Sequence, residues 1–237
     1  MVGGDILIVI PARGGSKGIP LKNLAKVGGK TLIERVANVV NKLTIPKKVI
    51  VSTDHQAIAD EAVRVGLEVP FWRPEELSGP IVSDVDVLIH ALNSLETAEK
   101  TFEFILMLQP TSPLRQLHHI TETIAMLTSG GYDSVLTVSE TDSKSHPLKQ
   151  LCVLDNKLEY YDRAGEKIIA RQQLTPVYHR NGAAYGMTRD CLLNQKTTIG
   201  KNCGAVIVDE PLANIDTPLD LALANWLLDN QSFGFSS

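Results

Sequence analysis

Apolar positions recur along this chain in two rhythms. Residues 5–10 end in the unbroken run Ile6-Leu-Ile-Val-Ile10, the pattern of a strand covered on both faces of a parallel sheet. Over residues 31–43 the spacing changes, and Leu32, Ile33, Val36, Val39, Val40 and Leu43 fall on one side of a helix. The alternation then continues. Residues 48–52, 68–72, 104–108, 134–138 and 205–208 read as strands, and residues 57–65, 85–95, 120–128 and 219–228 as helices. Gly66 closes the second helix. Strands alternating with helices of this length predict an α/β fold, a doubly wound and mostly parallel sheet forming one domain over residues 1–237. The stretch 140–189 breaks the rhythm, with Pro147, Pro176 and no amphipathic helix, and reads as an inserted arm or small β-rich subdomain.

Composition narrows the setting. At 237 residues and 43% hydrophobic content, the chain can bury a full core without disulfides or a structural metal. Its three cysteines, Cys152, Cys191 and Cys203, form no CxxC pair. The start shows no basic segment followed by a long apolar one, and the aliphatic run at 6–10 is too short to span a bilayer. A reduced, cytoplasmic protein without a membrane partner is expected. The net charge of −4 argues against a nucleic-acid partner, yet the charge is uneven. Residues 1–48 hold nine Lys/Arg against Asp5 and Glu34, a local +7 that leaves −11 for the rest. A small anionic ligand near the N-terminal segment accounts for this better than a DNA-sized footprint, with Lys42, Lys47 and Lys48 read as solvated.

In an open α/β sheet, ligands bind beyond the C-terminal ends of the strands. The loop after the first strand is Pro11-Ala-Arg-Gly-Gly-Ser-Lys-Gly-Ile-Pro-Leu-Lys-Asn23. Gly14, Gly15 and Gly18 let backbone N–H groups approach a ligand, and Arg13, Lys17 and Lys22 bring positive charge for phosphate oxygens. A purely structural loop explains the glycines but not three cations among them. Two familiar nucleotide motifs fail on spacing. The glycines at 14, 15 and 18 do not form GxGxxG, and Gly29-Lys30-Thr31 has Leu24 where a P-loop needs its first glycine.

Residues 10–23, Ile-Pro-Ala-Arg-Gly-Gly-Ser-Lys-Gly-Ile-Pro-Leu-Lys-Asn, resemble the signature loop of the acylneuraminate cytidylyltransferases, or CMP-sialic acid synthetases. Further segments agree in order: Val51-Ser-Thr-Asp54, Arg73-Pro-Glu-Glu-Leu77, Leu108-Gln-Pro-Thr-Ser-Pro-Leu-Arg115, His146-Pro-Leu-Lys149, Arg171-Gln-Gln-Leu174, Asn181-Gly-Ala-Ala-Tyr185 and Ile215-Asp-Thr-Pro-Leu-Asp220. Together they cover nearly the whole chain.

The resemblance implies a Rossmann-like nucleotidyltransferase that joins CTP to a nine-carbon 2-keto sugar acid and releases pyrophosphate. Arg13, Lys17 and Lys22 would hold the triphosphate as catalytic cations, with Gly14 and Ser16 in the same cradle and Asn23 orienting the nucleotide. Arg73 and Ser83 would line the nucleoside pocket, although Arg73 also reads as a surface salt-bridge residue. Gln109, directly after the fourth strand, would hydrogen-bond the sugar acid, and Arg171 would meet its carboxylate. The family's second arginine falls on His179, with Arg180 beside it, so either of the two is a candidate. Arg115 receives no role, Thr111, Ser112 and Pro113 read as turn formers, and His146 reads as structural. His118 and His119 look like solvated residues before a helix. Mg²⁺ is the expected cofactor, and the family's pair of Asp ligands here reads Asn214-Ile-Asp216. Asp216 would be the metal ligand, a helix N-cap, or both. Homodimerisation through the arm also follows from the resemblance. Alternatives are a synthetase for legionaminic acid, pseudaminic acid or Kdo, one using GTP, or a non-catalytic nucleotide-sugar sensor.

Overall fold

The computed structural model describes residues 5–230. The chain begins with β1 (Ile6–Pro11), a short hairpin of β2 (Lys26–Val27) and β3 (Lys30–Thr31), helix α1 (Leu32–Val40), β4 (Lys48–Ser52) and α2 (Gln56–Arg64). It continues through α3 (Asp84–Leu95), β5 (Phe104–Met107), α4 (Leu117–Thr128) and β6 (Ser134–Glu140). A second hairpin, β7 (Leu151–Leu154) and β8 (Lys157–Tyr160), precedes β9 (Tyr178–Thr188), α5 (Arg189–Leu193), β10 (Cys203–Ile207) and α6 (Pro218–Asp229). The main sheet has six strands in the order β10-β6-β9-β5-β1-β4. Five are mutually parallel, and β9 alone runs against its neighbours β5 and β6.

Strand alternation decides what each face buries. Ile6, Ile8 and Ile10 of β1 pack with Ile33 and Val36 of α1, Ile58 of α2 and Ile124 of α4. Leu7 and Val9 point the other way, into Leu88 and Leu92 of α3 and Leu192 of α5. Both faces are therefore dry, which is why β1 is apolar at every position. Thr31 starts α1 by accepting a hydrogen bond from Glu34 N–H at 3.0 Å. Helix α6 packs at the side through Ala224, against Val27, Leu32 and Ile215.

Two expectations are corrected. Residues 68–72 form no strand, and only the isolated bridges Ile50–Glu68 and Thr53–Trp72 touch β4. Pro70 lies within this stretch and Pro74 just beyond it, and each removes a backbone donor. The 140–189 stretch divides as well. Its first part carries the exposed β7–β8 hairpin, but Tyr178–Thr188 returns as β9 to the centre of the sheet. Because β9 is antiparallel, its first residues arrive at the edge where β1, β4, β5, β6 and β10 end. That edge carries the candidate site.

Candidate active site

The loop after β1 is shaped by its own contacts. Gly14 N–H donates to Asp54 Oδ1 at 2.8 Å, tying the loop to the end of β4, and Ser16 N–H turns back onto the Gly14 carbonyl at 3.0 Å. A side chain at Gly14 would meet the His55 ring at 2.8 Å, and one at Gly18 would overlap the Asp216 carbonyl, whereas Gly15 faces open space. Two of the three glycines thus serve packing. Asn23 is buried and donates its amide to the Arg13 carbonyl at 2.9 Å, so it orders the loop. Leu21 adopts a left-handed conformation (φ 45°), and the short turn Lys22–Leu24 follows. This aims Lys22 Nζ across the edge at Asp216 Oδ1, 2.7 Å away. Arg13 reaches the other way, to the Gly79 carbonyl. Lys17 is exposed and makes no ion pair with the described residues. The cations thus surround a glycine-bearing loop end, an arrangement suited to a polyphosphate.

Arg73 is buried at 6% exposure rather than on the surface. Its Nε and Nη2 donate to the Ser52 hydroxyl (3.0 Å) and carbonyl (2.5 Å). Burial pulls its pKa down to about 10, with the Asp54 charge opposing, so it stays cationic at neutral pH. Ser83 caps α3: its oxygen accepts from Asp86 N–H at 3.1 Å and donates to Asp86 Oδ2 at 2.7 Å. Beside it Asp84, absent from the expected set, has its carboxyl pKa raised by burial, while the charges of Arg180 and Arg73 pull it down. Arg180 therefore lies close enough to Asp84, at the start of α3, for its charge to be felt there. His179 sits at the arm instead, its Nδ1 3.1 Å from Thr141 Oγ1. Successive residues of a strand point to opposite faces, which separates the two.

Gln109 follows β5, and its side chain hydrogen-bonds to none of the described residues. Arg115 is fully buried and donates to the backbone carbonyls of Gln109 (2.6 Å), Gly182 (2.8 Å) and Ala183. It is a clamp between the end of β5 and β9, a role that is visible only once the two are brought together. Burial lowers its pKa to about 9. Arg171 is exposed on a short turn of the arm and lines a cavity of about 290 Å³ with Glu140, Thr141 and His146. No residue of the Arg13 loop lines that cavity, so within one chain the loop and Arg171 belong to separate surfaces. His146 joins the arm's ends: its Nδ1 accepts from Leu148 N–H (3.1 Å) and its Nε2 lies 3.0 Å from the Thr175 carbonyl.

Asp216 is not the helix cap. Thr217 caps α6, its side chain accepting from Asp220 N–H at 3.3 Å while Asp220 accepts from Thr217 N–H at 2.7 Å. Asp216 is left with a carboxylate 69% exposed whose only described partner is Lys22. Such an oxygen donor suits a hard divalent cation shared with phosphate, and Asn214, also exposed, adds a neutral carbonyl.

A second group of possible ligands, His118, His119 and Glu210, gathers at the start of α4. His119 is buried rather than solvated, and its Nδ1 accepts from Gln116 N–H at 3.1 Å. The neutral ring then carries its proton on Nε2, which lies 3.6 Å from Glu210 Oε2, beyond hydrogen-bond distance, and a protonated nitrogen is poorly suited to hold a metal.

The chain is similar to proteins of known function. A family model described as "Cytidylyltransferase" matches residues 7–202. The chain is 30% identical to a CMP-N,N'-diacetyllegionaminic acid synthase of Legionella pneumophila, covering 94% of this chain and 96% of that protein. It is 34% identical to an N-acylneuraminate cytidylyltransferase of Streptococcus agalactiae over 81% of this chain, but spans only 45% of that longer protein. A solved CMP:2-keto-3-deoxy-manno-octonic acid synthetase, complexed with CTP, shares the fold at a TM-score of 0.71 and 18% identity, covering 96% of this chain and 99% of its own. Since the family match runs from β1 to the turn before β10, the chain belongs to the cytidylyltransferase family and is a nucleotidyltransferase.

Proposed function

We propose that the protein transfers CMP from CTP to a nonulosonic acid of the sialic acid type, releasing pyrophosphate. The observation that carries this reading is the cationic loop facing an exposed carboxylate: Arg13, Lys17 and Lys22 on one side of the edge and Asp216 on the other. In the reaction, the anomeric hydroxyl oxygen of the sugar acid bonds to the α-phosphorus, the bond to the pyrophosphate oxygen breaks with its electron pair going to pyrophosphate, and the hydroxyl proton passes to solvent. Arg13, Lys17 and Lys22 neutralise charge on the triphosphate oxygens as it grows on the leaving group. Arg73 fixes the nucleoside end as a buried cation. Gln109 offers its unused carboxamide to the sugar acid, and Arg180 supplies charge on the same side. When Mg²⁺ is bound, it supplies charge neutralisation at the phosphates, and Asp216 would hold it with Asn214 as a neutral neighbour. Lys22 must then share or release Asp216.

The working compartment on this reading is the cytoplasm, and the working unit is a homodimer. One face of the arm's hairpin exposes Leu151, Val153, Leu158 and Tyr160, an apolar strip that a partner copy would cover. Dimerisation would also allow Arg171 of one protomer to approach the site of the other.

A legionaminic-type acid is the second reading. It is favoured by His179, where the acylneuraminate pattern has arginine, and by similarity along nearly the full length of the Legionella relative. Steady-state rates with CTP, UTP, GTP and ATP test the nucleotide. CTP should exceed each of the others by about tenfold in kcat/KM, ~1.4 kcal/mol in transition-state binding. Equal values for GTP and CTP would contradict the assignment.

A further inference from the structure

We infer that Gly182 is a positioning residue: its lack of a side chain forms the seat on which the Gln109 carboxamide rests at the mouth of the site. The inference rests on the reading of Gln109 as a sugar-acid contact and goes beyond it, since Gly182 itself touches no substrate.

Gly182 lies at the start of β9, where the pairing with β6 shifts register between Leu136 and Val138. Its φ of +74° belongs to the left-handed region that glycine adopts without cost. A Cβ built there would stand 2.6 Å from Gln109 Oε1, 2.6 Å from Ser112 Oγ and 3.5 Å from Gln109 Cβ. The Gln109 side chain therefore lies flat across the α-carbon of Gly182, in space that any other residue would occupy.

The surrounding contacts prevent relief by a backbone shift. Arg115 Nη2 donates to both the Gln109 and Gly182 carbonyls, so the two backbones are held together by one buried guanidinium. Ser112 Oγ donates to the Asn181 carbonyl at 2.5 Å, and Gly182 N–H donates to the Tyr185 hydroxyl at 2.7 Å. The Asn181 side chain accepts from the Thr137 hydroxyl at 2.6 Å and donates to Ser139 Oγ at 3.0 Å. The polar groups named around the seat are thus bonded, whereas the Gln109 carboxamide has no hydrogen-bond partner among the described residues and is held in place by shape. A methyl group at 182 meets the Gln109 carboxamide and the Ser112 hydroxyl at the same distance, and of the two the Gln109 amide, without a hydrogen-bond partner among the described residues, is the one free to swing away.

The experiment is a double-mutant cycle of Gly182→Ala and Gln109→Ala, read as KM for the sugar acid, KM for CTP, kcat and melting temperature. Gly182→Ala should raise KM for the sugar acid about tenfold and leave KM for CTP within about twofold. In sugar-acid KM and kcat, Gln109→Ala/Gly182→Ala should be no worse than Gln109→Ala alone, because the displaced group is already gone, while the remaining Ser112 contact and left-handed backbone lower the melting temperature of both Gly182 variants. If Gly182→Ala does not fold while the double variant does, the clash with Gln109 is confirmed by stability instead. Additive losses, a wild-type KM in Gly182→Ala, or a double variant that also fails to fold would overturn the inference. Wild-type protein that turns over no sugar acid with CTP would remove the functional reading and the inference together, so the two failures are distinguishable.

Discussion

At the residue scale, two cations of the phosphate loop have distinct resting partners. Arg13 is bound to the Gly79 carbonyl and Lys22 to Asp216, so each must be redirected or shared when a triphosphate arrives. Arg13→Ala and Lys22→Ala should each lower kcat/KM about a hundredfold, ~3 kcal/mol of transition-state stabilisation, with little change in melting temperature. Near-normal activity in both would make the loop structural. Asp216→Asn gives a sharper contrast, because Thr217 rather than Asp216 caps α6. Its melting temperature should move by no more than about 2 °C, as for an exposed ion pair. Activity at ordinary Mg²⁺ should nearly vanish and return in part at high Mg²⁺, while Asn214→Ala should cost only about tenfold. An active Asp216→Asn protein with unchanged Mg²⁺ dependence would remove the metal role. The cations of this loop were legible because charge and glycine fall together in thirteen residues. Asp54, Arg115 and Gly182 were not, since Asp54 meets Gly14 across 40 positions and Arg115 meets Gly182 and Ala183 across 67 and 68.

At the element scale, legibility followed periodicity. Strand β1 and helix α1 announce themselves because one is buried on both faces and the other on one. Strand β9 did not, because His179, Arg180, Asn181 and Gly182 interrupt its apolar pattern where it reaches the site. Sheet neighbours β5 and β6, not local propensity, make it a strand. Helix α4 carries a pH-sensitive start. Burial, and next the neighbouring His118, hold the His119 pKa below that of a free imidazole, although Glu210 pulls the other way and Arg115 reinforces the lowering. The unfolded chain then binds a proton that the folded chain resists. Stability from this residue is present above the free imidazole value of ~6.5 and is lost as pH falls below it. Melting temperature should fall between pH 7 and pH 5, and the His119→Gln variant should fall less steeply over the same range. Parallel slopes would show that His119 is not the group responsible.

At the scale of the whole molecule, the fold brings together residues scattered along the sequence by ending five parallel strands at one edge and starting β9 there. That edge gathers Arg13, Lys22, Arg73, Gln109, Arg180 and Asp216, but not Arg171 or His179, which stay with the arm. The split is what a dimer would resolve, so light scattering at micromolar concentration should give twice the mass of one chain, about 52 kDa from 25.9 kDa. A mass of one chain would leave the arm without its assigned purpose. The most direct test of the central claim is pyrophosphate release from CTP with N-acetylneuraminic, legionaminic and pseudaminic acids and Kdo in turn, each product identified by mass spectrometry. The account predicts one pyrophosphate and one CMP-sugar per CTP with at least one nine-carbon acid, and none without sugar or without Mg²⁺. Sugar-independent release, or no CMP-sugar with any of these acids, would contradict it.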